Sequence, residues 1–253
     1  MKLNGKTVEF GRFPNGELNL PLTNIEVKEK NYIDWDYTSN EDIFKLAMLR
    51  HHISQMNGVC ELYISYLPYS RMDRANPYYS FTLKCFAKLI NDMYFNEVVI
   101  REPHSKESLT YIDRSEPEWW VLDRIEEVYT DSGCSSIFYP DKGARDRYKA
   151  LGIEVPIGYG KKVREFSNGS ITDYSISGEV GKAVLIVDGL CSRCGTFIEA
   201  TKHLRKEGAL HIELLVAHCE DNVFTGELFD YVDRLYCSDS ILTWTHPRIT
   251  VLM

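Results

Sequence analysis

The chain has 253 residues, with 29 Lys and Arg against 37 Asp and Glu, a formal net charge of −8. Its 44% hydrophobic and 12% aromatic content can fill a core, which excludes wholesale disorder, and the length suits one large domain or two small ones. The acidic balance argues against general binding to nucleic-acid backbones, and no apolar window of about 18 residues is present to span a bilayer.

In chain order, helical spacing predicts a helix over 41–56. The run Glu61-Leu62-Tyr63-Ile64-Ser65-Tyr66-Leu67 predicts a strand closed by Pro68. Leu83, Phe86, Ala87 and Ile90 predict a helix over 81–93, and a strand over 97–100 then leads to His104. In the second half, strands are predicted over 136–139, 183–187, 211–217 and 232–236, with a helix over 195–207 closed by Gly208. This alternation predicts an α/β chain with largely parallel sheets. The halves read as loose copies, each with a second strand ending in a His, His104 and His218. Their junction falls near 111–131, where Trp119 and Trp120 suit either a core or an interface.

Met1 to Lys6 leads into no apolar run of the secretory kind. Seven cysteines at irregular spacing make no disulfide framework, so the chain reads as reduced and cytoplasmic. Cys191 and Cys194 form a C-x-x-C, but Cys219 and Cys237 are poorly spaced to complete a zinc site. They read as non-ligand cysteines in a turn.

In open parallel sheets, ligands sit beyond the carboxyl ends of strands. The segment from Asp188 to Thr196 follows a buried strand and precedes a helix. Its small residues, hydroxyls and helix N-terminus suit a phosphate, although an ordinary capped turn has the same composition. It is not a Walker P-loop.

Asp188, Gly195 and Thr196 match the phosphoribosyl-diphosphate loop of ribose-phosphate pyrophosphokinases and type I phosphoribosyltransferases. Gly189, Ser192 and Arg193 depart from it. Five further segments resemble pyrophosphokinase motifs in the family order. They are Phe13-Pro14-Asn15-Gly16-Glu17, Tyr66 to Arg74, Glu102-Pro103-His104-Ser105, Tyr139-Pro140-Asp141-Lys142-Gly143 and Lys161-Lys162-Val163-Arg164. The short chain resembles the compact members found in phages and some bacteria.

The resemblance implies an α/β fold of two tandem type I phosphoribosyltransferase-like domains, each a mainly parallel sheet flanked by helices. Residues 1–118 would hold the ATP site and 119–237 the sugar-phosphate site, with 238–253 free to pack back on the first domain. It implies Mg-dependent transfer of the β,γ-diphosphate of ATP to the 1-hydroxyl of ribose 5-phosphate, releasing AMP. ATP binding would fall to Phe13, Asn15, Glu17, Arg71 and Asp73, with Met72 replacing the family's usual Gln. Mg²⁺ would fall to Asp141 and His104. Lys162 and Arg164, on a mobile flap continuing through 167–170, would act with His104 in catalysis, and Lys161 takes the lysine role if the register slips by one. Asp188, Ser192, Arg193, Cys194, Gly195 and Thr196 would bind the sugar phosphate. A homodimer or hexamer would share the adenine site between chains, with no nucleic-acid or membrane partner.

Gly189 stands where the family has a second acid. It leaves open an acceptor other than ribose 5-phosphate, or an inactive or regulatory paralogue. Arg193 adds a cation suited to a diphosphate, so ADP-ribose is the close alternative, as in phage enzymes of NAD rebuilding acting in a host cytoplasm. A phosphoribosyltransferase is a further alternative, opposed by the ATP-type motifs at 13–17 and 66–74.

Overall fold

The computed structural model describes residues 1–75, 77–148, 154–164 and 171–253; the side chains of residues 163, 164, 171 and 172, and the expected flap at 165–170, lie outside the described residues. The chain divides into two compact units, Met1–Trp119 and Trp120–Met253.

In the first unit, strands Lys30–Trp35, Val59–Ile64, Glu97–Arg101 and Ser115–Glu118 pair in parallel. Two short strands, Lys2–Leu3 and Lys6–Thr7, extend that sheet antiparallel. Helix Glu41–Gln55 buries Leu46, Leu49 and Ile53, and helix Thr82–Asp92 buries Leu83, Phe86, Ala87 and Ile90. These positions recur every three or four residues, so each helix turns one apolar stripe onto the sheet. Trp35 stacks on Phe86 with ring centroids 5.9 Å apart, tying sheet to helix. The strand predicted to reach Leu67 leaves the sheet after Ile64, and the Ser65 N–H still donates to Trp35 O at 3.2 Å.

The second unit carries seven strands in the spatial order Ile171–Gly178, Ile157–Arg164, Ser136–Tyr139, Ala183–Cys191, His211–Cys219, Arg234–Ser238 and Ile249–Leu252. All pair in parallel except the first, which is antiparallel to its neighbour. The central strands are apolar on both faces, as parallel strands covered on both sides must be. Along Ala183–Cys191, Val184 and Ile186 enter one core with helix Gly195–Lys206, while Leu185 and Val187 enter another with helix Trp120–Ser132. Trp120 is buried in that second core, which settles it as a core residue. Helix Gly195–Lys206 ends at Glu207, and Gly208 follows at φ +96°, the left-handed residue expected after a helix.

Two expectations are corrected. The strand predicted to stop before Asp188 continues to Cys191, because its parallel partner runs beside it to Cys219. Lys161 and Lys162 stand on a strand rather than a loop, because Ile171–Gly178 folds back against it. At the C-terminus, Ile249–Leu252 pairs with Arg234–Ser238. Among the described residues no helix is long and apolar enough to cross a membrane, and all seven cysteines are free thiols.

Gly160 governs how the chain leaves the central strand. Tyr174 reaches across it to donate to Pro140 O at 3.0 Å. A Cβ at Gly160 would lie 2.1 Å from the Tyr174 hydroxyl oxygen and 2.7 Å from Pro140 O. Gly160→Ala should therefore lower stability by about 1–3 kcal/mol, the usual cost of overpacking, read as a lower urea midpoint. The loss should shrink in a Tyr174→Phe background, where the clashing oxygen is gone. An alanine variant as stable as the parent would refute this account.

Candidate active site

The charged residues of the second unit meet because of strand register. Ile186 pairs with Phe138, which puts Asp188 level with Pro140. Tyr159 pairs with Tyr139, which carries Lys161 and Lys162 out to the level of Asp141. Asp141 opens helix Lys142–Tyr148, and its Oδ1 accepts from the Ala144 N–H at 2.9 Å. Its Oδ2 accepts from the Lys162 ammonium. Lys162 rather than Lys161 makes this contact; the Lys161 ammonium lies 5.7 Å from the Tyr159 ring centroid. A pocket of about 570 Å³ opens here, lined by Asp141, Arg145, Tyr159 and Lys162 among others. One wall is Arg145, whose guanidinium stacks 4.0 Å from the Tyr159 ring centroid.

The two acids at this edge are held differently. Burial works against charge on Asp141, but the hydrogen bond and charge of Lys162, with the N–H groups of Ala144 and Gly143, outweigh it. They hold that carboxyl below its ordinary value. Asp188 is pushed up to about 7, first by loss of hydration and then by repulsion from Asp141. The Gly189 N–H, which donates to Asp188 Oδ1 at 2.7 Å, and the charges of Arg147 and Lys162 oppose that rise. Asp141, Lys162 and Asp188 thus form one electrostatic cluster. Arg147 belongs to it and is absent from the sequence-based set.

With Asp188 to Cys191 in the sheet, the loop shortens to Ser192, Arg193 and Cys194. The Ser192 hydroxyl donates to Glu220, so the loop is tied to the neighbouring strand end. Cys194 takes φ +61°, and its carbonyl accepts from Ile198 N–H at 2.9 Å, opening helix Gly195–Lys206. Cys194 is buried with its sulfur 3.0 Å from that of Cys191, so its side chain packs inward. Arg193 and Gly195 are exposed and Thr196 is half-buried.

In the first unit, Phe13 to Glu17 form the tip of a hairpin between strands Gly11–Arg12 and Leu18–Asn19. Phe13 N–H donates to Glu17 O at 2.8 Å, and Asn15 Oδ1 accepts from Glu17 N–H at 3.2 Å. Arg12 braces the tip by donating to Gly16 O at 3.1 Å and pairing with Glu41 at 2.5 Å. The turn leaves Phe13 52% exposed, so its ring is presented rather than packed. Arg71 is exposed, whereas Asp73 is buried and accepts from Arg74 Nε at 3.2 Å. His104 is exposed in the loop after strand Glu97–Arg101, and Ser105 beside it caps the short helix Lys106–Leu109. His218, read from sequence as its counterpart, is instead buried within a strand, with Nδ1 2.8 Å from Ser240 Oγ.

Among the described residues no three His, Cys, Asp or Glu side chains converge on a metal position. Mg²⁺ needs fewer: it is commonly held by one or two carboxylates with waters and substrate phosphates. Asp141, an oxygen ligand kept charged at the pocket, fits an ion that arrives with a nucleotide.

No family model matches the chain. It is 29% identical over 219 residues to a ribose-phosphate pyrophosphokinase of Pyrococcus furiosus, covering 83% of this chain and 77% of that one. It is 28% identical over 224 residues to that of Saccharolobus solfataricus, covering 83% and 76%. For that of Thermococcus kodakarensis the identity is 26% over 232 residues, covering 90% and 81%. The crystal structure of phosphoribosylpyrophosphate synthetase from Mycobacterium smegmatis matches with a TM-score of 0.76 at 17% identity, covering 97% of this chain and 85% of that one. This likeness shows the fold, and the sequence likeness, which covers most of this chain and of each relative, is to ribose-phosphate pyrophosphokinases.

Proposed function

We propose that the chain transfers the β,γ-diphosphate of ATP to the 1-hydroxyl of ribose 5-phosphate, giving a sugar 1-diphosphate and AMP. The observation that carries this is the cluster of Asp141, Lys162 and Asp188 beside the 192–196 loop, at the carboxyl edge of a parallel sheet. Displacement at phosphorus asks for positioning and charge stabilisation more than covalent help. Lys162 supplies a cation for the phosphoryl oxygens, with Arg164 as its partner in the family pattern. Asp188 accepts hydrogen bonds from sugar hydroxyls. The N–H groups of 192–196 and the helix N-terminus bind the 5-phosphate.

In the first unit, Phe13 offers a ring face to adenine, and Asn15, Glu17, Arg71 and Asp73 complete the nucleotide contacts, while His104 keeps the catalytic and metal-proximal role that the resemblance gives it. By family resemblance the hairpin serves the adenine of a neighbouring copy, which makes the protein a homo-oligomer. Mg²⁺, when bound, neutralises and orients the phosphate oxygens. Asp141 would hold the ion, and the Lys162 ammonium beside it would offer its charge to the diphosphate. Exposed Arg193 favours a second acceptor, ADP-ribose, whose 5-diphosphate suits an added cation.

Incubation with Mg-ATP should release AMP when ribose 5-phosphate is added; no AMP with either acceptor would sink the proposal. Lys162→Ala should cut turnover by about 10²–10³, the cost of losing one charge-stabilising donor, with little change in acceptor affinity. A large affinity loss at unchanged turnover would assign Lys162 elsewhere.

A third test uses pH. Asp188 in the folded chain holds its proton to about 7, whereas unfolded it ionises near 4. Between those values the folded state binds the extra proton, so this contribution to stability falls as pH rises and is fully lost above the folded value. Asp188→Asn keeps an acceptor for the Gly189 N–H and cannot ionise. It should melt higher than the parent at pH 8 and match it near pH 4. Equal melting at both would contradict the burial of this charge.

A further inference from the structure

Gly189 lies inside strand Ala183–Cys191, on the face covered by helix Lys142–Tyr148. A Cβ there would fall 2.5 Å from Arg147 Nη1, 3.2 Å from the Tyr148 hydroxyl oxygen and 3.8 Å from Arg147 Cζ. The room that a side chain at 189 would take is therefore filled by the Arg147 guanidinium. Tyr148 forms its seat: Arg147 Nη1 is 3.5 Å from the Tyr148 hydroxyl, and Cζ is 5.6 Å from the ring centroid. Tyr148 is itself fully buried, and its carbonyl accepts from the Tyr139 hydroxyl at 3.0 Å. The charge of Arg147 acts on Asp188, the residue before Gly189, while Arg147 stays half-buried rather than sealed in the core.

We propose that Arg147 is an acceptor-binding residue, its guanidinium donating to a sugar hydroxyl oxygen from the place that Gly189 leaves open. This rests on the reading of Asp188 as the acceptor for sugar hydroxyls. Two adjacent carboxylates can only accept, whereas a carboxylate and a guanidinium accept and donate. A vicinal diol can satisfy both, because each hydroxyl is donor and acceptor at once. The glycine is then a substitution of one recognition group by another and leaves the sugar site competent. Hydrogen bonds to charged groups are stronger than neutral ones, which is the source of the affinity at stake.

The test is calorimetric binding of ribose 5-phosphate, and separately of Mg-ATP, to the full chain. Arg147→Gln should weaken ribose 5-phosphate by about tenfold or more while changing ATP affinity by less than about threefold, and Arg147→Lys should fall between. Gly189→Asp should also weaken it, because its Cβ unseats the guanidinium. In the double variant the losses should be smaller than their sum, as for groups that share one space. Ribose 5-phosphate binding by Arg147→Gln within about twofold of the parent, or tighter binding by Gly189→Asp, overturns the proposal. Release of AMP by the parent is scored separately. Arg147-dependent binding without AMP keeps this inference and removes the proposed reaction; AMP release with Arg147-independent binding does the reverse.

Discussion

The short strand Ser136–Tyr139, held in parallel register between two longer neighbours, is the constraint on which the candidate active edge depends. Both neighbours run on after it ends, one to Arg164 and the other to Cys191. The early end leaves a notch at the carboxyl edge, the place where open parallel sheets bind ligands. Pro140 turns the chain out of the sheet, Tyr174 fixes its carbonyl, and Asp141 begins a helix at the notch. Lys162 and Asp188 stand on the longer strands that form its sides. None of the three would meet the others if the central strand were two residues longer.

Placing two carboxyls in one notch creates a conflict that the surrounding cations resolve unequally. Asp141 receives the Lys162 ammonium and two backbone N–H groups and stays charged. Asp188 has one N–H and more distant cations, and its carboxyl rises to about 7. Carboxyls whose environments push them apart are suited to different work. The charged one can meet a hard cation, and the reluctant one gains most from a ligand that brings hydrogen-bond donors. A chain with net charge −8 can offer an anion a favourable place in this way. A few cations are concentrated where they are needed, and the general acidity bears on other surfaces.

Much of this was legible in the sequence, for reasons that vary by element. The helices of the first unit were readable because Leu46, Leu49 and Ile53, or Leu83, Phe86 and Ile90, repeat at helical spacing. The central strands were readable as apolar runs. The far end of the strand that carries Asp188 was not. Asp188 and Gly189 have poor intrinsic preference for strands, and a partner far along the chain, His211–Cys219, carries them into the sheet. Lys161 and Lys162 were expected on a flap because the family resemblance puts a mobile basic loop there, yet their strand continues past Tyr159 paired on one side with Ile171–Gly178. The motif residues Asp141, Lys162 and Asp188 were legible through their order along the chain; their mutual contacts were not. Arg147 was invisible because nothing local links it to residue 189.

Glycine inside a buried strand weakens it and is usually explained by a close approach of something else. Here the approaching group is identified, and it changes what the glycine means. Read alone, Gly189 is a missing acid and an argument for a dead site. Read with the guanidinium above it, the position carries a charge of the opposite sign on a side chain borrowed from the adjacent helix. The two readings differ in one physical respect. A dead site would leave the space empty or filled by inert packing, whereas this one spends a half-buried cation beside Asp188. The charge of Arg147 acts on Asp188 and opposes the rise of its carboxyl. A ligand bearing vicinal hydroxyls can accept from the guanidinium and donate to the carboxylate at once.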